Sequence, residues 1–486
     1  MVMHFINRYK LEIVVFVSGA VLMILELVGS RILAPYLGTT IIVWTSLIGV
    51  ILGSLSLGYW YGGRLADKNP RKNILARILY FSALTIGITA FIKDPVLLNI
   101  KHYILDMRIA SFLSAFILFS PASMLMGMVS PYAVKLKMLS LKKAGRTTGN
   151  LYAVSTIGSI VGTFLGGFYL IAYLGNIEII YLSSIIMFLL ALFLDVKILQ
   201  QKIHIFLMFI FLSVSFFNFY MQDQWTDKNI IFEGESLYNS IRIVNYYYQD
   251  TRPVRYLMVN NAIYSAMYLD NKDELVFDYT KFYHFASFFN PQIKKALMIG
   301  GAAYSYPMAF LKKFPESYID VVEIDPTMTI LARKYFGLID DPRLKIFITD
   351  GRIYLNETKE KYDAILIDAF NGYNVPYHLT TKEVVEKMME ILSQNGVVIT
   401  NIVSSINNPF LQAEYLTYKK VFPKVFIFPL EDKKNRFKIQ NIMLVAAKSE
   451  EPVLFSDQAV EMFIGKDVKI LTDNFAPVDY YMLSLP

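Results

Sequence analysis

The sequence of 486 residues contains no cysteine and only five histidines. The absence of cysteine excludes a disulfide-stabilised fold, a thiolate metal site and a cysteine nucleophile. Charge is also sparse, since Asp, Glu, Lys and Arg make up 18% of the chain. Because no group of His, Asp and Glu in the sequence has metal-ligand spacing, we predict no metal site.

Hydrophobic residues are abundant and make up 55% of the chain. Several apolar stretches are long enough to cross a hydrocarbon core of about 30 Å as helices. They cover residues 12–34, 41–63, 74–92, 109–134, 150–174, 177–195 and 203–222. The sequence therefore predicts a multi-pass transmembrane helical domain of about seven spans over residues 1–222, in the plasma membrane.

The net positive charge comes from this hydrophobic half. Residues 1–222 hold 18 Lys and Arg against 7 Asp and Glu, whereas residues 223–486 hold 29 against 33. The basic residues cluster in the loops at 64–72 and 135–146, which predicts that both loops and the N-terminus are cytoplasmic. The charge thus indicates membrane orientation, and we expect no nucleic-acid partner.

Two features inside the predicted spans have alternative interpretations. Glu26 and Arg31 lie in the first span, where ionisable residues are either functional or form an ion pair that fixes helix packing. Glycines at four-residue spacing predict close helix packing or, alternatively, the lining of a pathway. These glycines are Gly58, Gly62, Gly158, Gly162 and Gly166.

The polar half has two patterns. Residues 223–290 contain short β-branched and aromatic runs separated by turn residues, which predicts a small β-rich segment. Residues 291–486 alternate strands with helices, which is typical of a Rossmann-like α/β domain with a parallel sheet. The predicted parallel strands cover 294–300, 318–325, 344–350, 362–370 and 396–402, and 425–430 and 442–448 are candidates for an antiparallel pair.

Small and acidic residues follow the predicted parallel strands. Gly300 and Gly301 form a turn after the first strand, and Glu323 ends the second. Asp350 and Gly351 follow the third strand, and Asp368 follows the fourth. Ligands bind beyond the carboxyl ends of such strands, and a carboxylate about 20 residues after a glycine turn can accept ribose hydroxyls. Each carboxylate alone is more typical of a turn or helix N-cap than of a binding site, but their occurrence at successive strand ends indicates a ligand site.

These residues resemble the spermidine synthase family, in its membrane-fused branch. GESLYNSIRIV (234–244), VNNAIYSAM (259–267) and DELVFDY (273–279) resemble the family's substrate-binding segments. MIGGAAYS, VVEIDP, ITDGR and IDAFNG resemble its glycine loop, ribose-binding acid, adenine-site turn and catalytic loop. ILELVGSRILAPYLG (24–38), LGYWYGGRLADKNPRK (57–72) and LTDNFAPVDYY (471–481) resemble the membrane-fused branch and its tail. The resemblance implies a spermidine synthase-like fold for the soluble domain.

The resemblance also implies roles for individual residues. Glu323 would bind the ribose hydroxyls, and Asp350 with Gly351 the adenine. Gly300 and Gly301 would line the nucleoside and thioether region. Asp368 would take a proton from the attacking amine. Further substrate-pocket positions are Tyr238, Asn239, Tyr264, Asp278, Ala303 and Asn371.

Several of these positions depart from the family pattern. Ala303 replaces the glycine-loop aspartate, Asn371 the second catalytic-loop aspartate, and Asn239 and Tyr264 stand where glutamines are expected. Residues 277–279 read Phe-Asp-Tyr where Tyr-His-Glu is expected. A diamine needs a carboxylate at each end of its pocket, because an unpaired buried ammonium is costly. We therefore expect weak dependence on putrescine, and the loss of an aspartate at Ala303 favours admission of full S-adenosylmethionine.

We therefore expect an aminopropyltransferase-like enzyme with no tightly bound cofactor. It would use S-adenosylmethionine or its decarboxylated form, transfer or cyclise the aminopropyl-type arm, and release 5'-methylthioadenosine. The expected partners are the nucleoside sulfonium, the lipid bilayer, a polyamine and a second copy of the chain. The alternatives are an S-adenosylmethionine-dependent methyltransferase and a non-catalytic polyamine or nucleoside transporter or sensor.

Topology and substrate supply disagree in this interpretation. Seven spans after a cytoplasmic N-terminus place the soluble domain outside, whereas S-adenosylmethionine is made in the cytoplasm. A segment at 203–222 that re-enters or lies along the interface would remove the conflict. We expect a cytoplasmic active site.

Overall fold

The computed structural model describes residues 9–138, 143–200, 228–248, 251–369, 375–450 and 459–483. The chain divides into two compact units, Met1–Asp227 and Lys228–Pro486. The predicted division lies at 222/223. Each unit is built around its own hydrophobic clusters, as expected when an apolar and a polar half fold separately.

The first unit is helical in its described part. Its helices are α1 (Lys10–Leu37), α2 (Ile41–Lys68), α3 (Lys72–Tyr103), α4 (Met107–Gly127), α5 (Val129–Lys137), α6 (Ala144–Leu165), α7 (Ile171–Tyr173) and α8 (Asn176–Leu194). A π-helical turn (Gly166–Leu170) joins α6 to α7. With α4–α5 and α6–α7 each forming one continuous segment, the described residues contain six helices long and apolar enough to cross a membrane. This is consistent with a membrane protein. The predicted seventh span, 203–222, lies outside the described residues.

The glycines of α2 and α6 lie where helices approach most closely. A Cβ at Gly158 or Gly162 would overlap the backbone of α1, and a Cβ at Gly62 would lie 2.6 Å from the Cα of Met128. A Cβ at Gly58 would overlap the backbone of α4. The predicted packing role is confirmed for these four glycines. Gly166 differs, because its Cβ would meet side chains of α1 at 3.3 Å.

The predicted intramembrane charges both lie on α1. Glu26 and Arg31 are partly buried there. Near the cytoplasmic end predicted for the same helix, Glu12 forms an ion pair with Lys137 of α5. The choice between a functional and a packing role for Glu26 and Arg31 stays a prediction.

The second unit begins with a four-stranded antiparallel sheet. Its strands are β1 (Ile230–Glu235), β2 (Ser240–Tyr248), β3 (Arg252–Val259) and β4 (Ala262–Tyr268), paired in chain order. A short helix α9 (Asp278–Phe282) and a 3₁₀ helix (Tyr283–Phe288) follow. The predicted β-rich segment is therefore a meander that ends in a helical turn.

A seven-stranded mixed sheet forms the rest of the unit. Its strands are β5 (Lys295–Ile299), β6 (Tyr318–Glu323), β7 (Leu344–Ile348), β8 (Tyr362–Ile367), β9 (Leu392–Ser404), β10 (Lys424–Pro429) and β11 (Gln440–Ala447). Their order is β10-β11-β9-β8-β5-β6-β7, with β5 to β9 parallel and β10 and β11 antiparallel. The predicted Rossmann-like class and its antiparallel closing pair are confirmed.

A helix follows each of the strands β5 to β9, and a last helix follows β11. They are α10 (Ser305–Lys313), α11 (Pro326–Leu331), α12 (Gly351–Glu357), α13 (Lys382–Ile391), α14 (Pro409–Val421) and α15 (Val478–Leu483). The strands carry apolar residues on both faces, which pack into two clusters, one around Ile365 and Val398 and the other around Leu366 and Ile399. Strand order reverses between β5 and β8, so the sheet opens a crevice at the carboxyl ends of these two strands.

Candidate active site

The crevice is formed where β5 and β8 end side by side. The backbone N–H of Asp368 donates a hydrogen bond to the carbonyl of Ile299, 2.9 Å away. Gly300 has a φ of +95°, and a Cβ there would overlap the carbonyl oxygen of Asp368. Only glycine combines this backbone conformation with so close an approach. The glycine turn and the predicted catalytic acid are thus in direct contact.

The turn that follows is bound by Glu323. One oxygen of the carboxylate accepts hydrogen bonds from the N–H groups of Gly301 (2.9 Å) and Ala302 (3.0 Å), and the other accepts from Asp325 (3.0 Å). Glu323 is buried, which raises the pKa of its carboxyl, while these three backbone donors oppose the shift. Glu323 therefore shapes the turn, and the oxygen that accepts from Asp325 keeps lone-pair capacity for a further donor.

The predicted adenine-site residue Asp350 caps helix α12. Its Oδ1 accepts from the N–H groups of Arg352 (2.8 Å) and Ile353 (3.2 Å), and its Oδ2 lies 3.1 Å from Nε2 of His378. A Cβ at Gly351 would press on the Ile299 side chain at 2.6 Å. Because β6 and β7 pair in parallel, Asp350 after β7 lies at the same edge of the sheet as Glu323 at the end of β6.

Asp368 lies in a partly closed environment of aromatic and amide groups. Burial raises its pKa to about 7, while hydrogen bonds from Asn401 and the Tyr283 hydroxyl act in the opposite direction. The Nδ2 of Asn401 lies 3.1 Å from Oδ1 of Asp368. Tyr279 and Tyr283 also face Asp368, and burial together with its negative charge raises the pKa of both phenols. The carboxyl of Asp368 therefore has a pKa near neutral pH, which suits a group that accepts a proton.

The turn between β1 and β2 is tied to the same end of the large sheet. The hydroxyl of Ser236 donates to Asp325 and accepts from the N–H groups of Tyr238 (3.1 Å) and Asn239 (2.9 Å). The side chain of Tyr238 is exposed, and Asn239 accepts a hydrogen bond from Asn260 at 2.8 Å. Ser236 thus links the backbone of these two predicted pocket residues to Asp325, which follows β6.

The remaining predicted site residues differ from one another in burial and in the groups that they contact. Tyr264 is partly buried in β4, and its carbonyl accepts a hydrogen bond of 3.3 Å from Tyr279. Ala303 is fully buried in an apolar cluster with Ile241. Asp278 points to solvent, its side chain 84% exposed and paired with Lys281 at 3.1 Å. Asn371 lies outside the described residues, between 369 and 375.

Sequence reasoning missed several residues at this site. Asn401 and Asn441 are amides inside otherwise apolar strands, which is a signal that a closer inspection of GVVITNI and QNIMLVAAK could have found. Ser236 and His378 carry no comparable signal, because their contacts with Asp325 and Asp350 join positions 89 and 28 residues apart.

Comparisons with known proteins identify sequence relatives of this chain. Residues 277–431 match the spermine/spermidine synthase domain family. A polyamine aminopropyltransferase from Vibrio vulnificus is 28% identical over 276 residues, which are 52% of this chain and 91% of that protein. One from Saccharolobus solfataricus is 29% identical over 203 residues, 40% of this chain and 65% of that protein. A solved structure of a probable spermidine synthase from Corynebacterium glutamicum aligns with 51% of this chain and 97% of that one, at 19% identity and a TM-score of 0.43.

The C-terminal unit is therefore similar to the spermine/spermidine synthase domain over residues 277–431. Together with the six apolar helices ahead of it, this is consistent with a membrane-fused spermidine synthase-like protein. The relatives support an enzyme of the aminopropyltransferase type.

Proposed function

We propose that this protein is a membrane-integrated transferase that acts on an adenosylmethionine-type sulfonium. The aminopropyl-type arm of the sulfonium is transferred to an acceptor, or it forms a ring by reacting with a nucleophile of the same molecule. In both cases 5'-methylthioadenosine is released. The observation that carries the proposal is Asp368, whose backbone carbonyl contacts the glycine turn at the switch point of the sheet and whose carboxyl has a pKa raised to about 7 by burial.

The chemistry requires little beyond alignment and proton removal. The carbon next to a sulfonium is already electrophilic, and the leaving group is a neutral thioether. The attacking nitrogen forms the new C–N bond as the C–S bond breaks, and Asp368 accepts the proton that the nitrogen loses. A bound sulfonium beside Asp368 lowers the pKa of the carboxyl and favours the ionised form.

The nucleoside would extend from Asp368 toward β7. Glu323, with lone-pair capacity left on the oxygen that accepts from Asp325, would bind the ribose hydroxyls, and Asp350 would contact the adenine amino group. The glycine turn offers close approach of a ligand to the backbone because Gly300 has no side chain. The resemblance to the spermidine synthase family implies these assignments, and the order of the residues along the edge of the sheet supports them.

The part of the site around Asp368 that would hold the acceptor offers few carboxylates, which favours weak recognition of diamines. Three of the four predicted carboxylates are engaged elsewhere, since Glu323 binds the turn, Asp350 caps a helix and Asp278 pairs with Lys281 in solvent. Asp368 is then the one predicted carboxylate that faces the phenols of Tyr279 and Tyr283. An acceptor with a second ammonium group would lack a partner for it at these positions.

The test is product identification by mass spectrometry with the full-length protein in detergent. S-adenosylmethionine and its decarboxylated form are each supplied with and without putrescine. We expect methylthioadenosine in at least one reaction, with little dependence on putrescine. S-adenosylhomocysteine as the product would instead identify a methyltransferase, and binding without turnover would favour a transporter or sensor.

A further inference from the structure

A chain of two amides leads from the interior of the sheet to Asp368. Asn401 is 3% exposed and lies in β9 among apolar residues. Its Nδ2 donates to Oδ1 of Asp368 at 3.1 Å, and its Oδ1 accepts from Nδ2 of Asn441 in β11 at 3.0 Å. A buried amide costs stability unless it is hydrogen-bonded, so its presence in a central strand needs an explanation.

The second amide gives the first its orientation. If Asn401 were turned by half a revolution, its oxygen would face the Asp368 carboxylate, and its NH₂ group would face the NH₂ group of Asn441. Both contacts would be repulsive. Asp368 and Asn441 therefore both favour the orientation in which Asn401 presents a donor to Asp368.

We propose that Asn401, oriented by Asn441, is a positioning residue that holds the Asp368 side chain in place and favours its ionised form. The catalytic meaning of this role rests on the proposed function, in which Asp368 accepts a proton. The hydrogen bond itself does not depend on that function.

The other groups around Asp368 cannot replace this donor equally. Tyr279 of α9 and Tyr283 of the following 3₁₀ helix are the titratable groups that face Asp368 among the described residues. Both phenols stay neutral at physiological pH because their pKa lies above the ordinary value. The hydroxyl of Tyr279 donates to the Tyr264 carbonyl, and that of Tyr283 also lies 3.3 Å from the Ile367 carbonyl. On the side of β5, Gly300 contributes backbone alone.

The experiment measures protonation of Asp368 directly in the full-length protein. An infrared pH titration follows the carboxyl band that disappears in Asp368→Asn. Asn401→Leu removes the donor at similar volume, and we expect the midpoint to rise by about one pH unit. Asn441→Leu keeps Asn401 but frees its amide to rotate, so we expect a smaller rise. The acid limb of the pH–rate profile should move in the same direction.

Thr400→Val is the matched control. Thr400 is the preceding residue of β9, is equally buried, and bonds the Tyr418 hydroxyl at 3.0 Å on the opposite face of the sheet. We expect this variant to keep the midpoint of the parent. The inference is overturned if Asn401→Leu also keeps it. If Asn401→Leu does not fold, an unshifted midpoint in Asn441→Leu overturns it instead.

The inference and the proposed function fail in different ways. A parent protein that forms no product from either sulfonium refutes the proposed function, while the infrared midpoint still decides whether Asn401 controls Asp368. A parent that turns over, with unshifted midpoints in both leucine variants, refutes the inference alone.

Discussion

The burial of Asp368 makes the ionised form of its carboxyl unfavourable in the folded protein. Its pKa in the folded protein is raised to about 7 by burial, whereas an unperturbed Asp titrates near 3.9. When the pKa of an acid is higher in the folded than in the unfolded protein, the free energy of unfolding decreases as the pH rises above the pKa of the unfolded state. The cost of the ionised form therefore grows from about pH 4 and is complete above about pH 7.

Asp368→Asn should remove this cost. In the unliganded protein at pH 8, we expect the free energy of unfolding to increase by about 2–4 kcal/mol, with no gain at pH 4. Thermal unfolding in detergent across this pH range measures the difference. The exposed Asp278→Asn serves as control and should change stability by less than about 0.5 kcal/mol. A gain in Asp368→Asn that is equal at both pH values would contradict the assigned pKa.

Glu323 holds the turn after β5, and the proposed function assigns ligand binding to the same carboxylate. Glu323→Gln keeps the size and one acceptor oxygen for the N–H groups of Gly301 and Ala302 but loses the charge. We expect methylthioadenosine binding to weaken by about 2–3 kcal/mol, the scale of losing hydrogen bonds to a charged group. Calorimetry measures the affinity, with Glu316→Gln, an exposed residue before β6, as the control. Unchanged affinity in Glu323→Gln would remove Glu323 from the ligand site.

At the scale of elements, the β5–α10 turn depends on glycine for two separate reasons. Gly300→Ala forces alanine to a φ of +95° and places a Cβ on the Asp368 carbonyl. Gly337→Ala separates the two effects, since Gly337 has a φ of +77° but open space, with the nearest atom of Lys272 3.9 Å from a Cβ. We expect about 1 kcal/mol of destabilisation for Gly337→Ala. Gly300→Ala should cost more and should also abolish methylthioadenosine binding. Equal effects of the two variants on stability and binding would contradict the predicted contact.

The strands and their ends were predictable, whereas the contacts between them were not. The apolar runs predict β5 to β11 because buried strands leave a strong local pattern, and Gly300, Glu323, Asp350 and Asp368 follow from their strand ends. The engagement of Glu323 by backbone N–H groups depends on the turn conformation, which no local pattern encodes. The amides Asn401 and Asn441 become meaningful only once β9 and β11 pair.

At the scale of the whole molecule, the absence of cysteine allows a direct test of topology. A single cysteine replacing Thr39 between α1 and α2, Asn69 between α2 and α3, or Glu316 in the second unit is the sole thiol of its variant. With a cytoplasmic N-terminus, we expect a membrane-impermeant maleimide to label Thr39→Cys in intact cells. It should label Asn69→Cys and Glu316→Cys only after the membrane is opened. Labelling of Glu316→Cys in intact cells would put the second unit outside.

The most direct test of the account compares rate and binding in Asp368→Asn. Asparagine keeps the shape of the side chain but cannot take a proton or offset positive charge. We predict that the variant stays folded in detergent, binds methylthioadenosine as the parent does, and releases it from the sulfonium substrate about 10²–10⁴ times more slowly. A turnover rate within about threefold of that of the parent would be a far smaller decrease than the loss of a general base usually causes. It would contradict the central claim that Asp368 performs the chemical step.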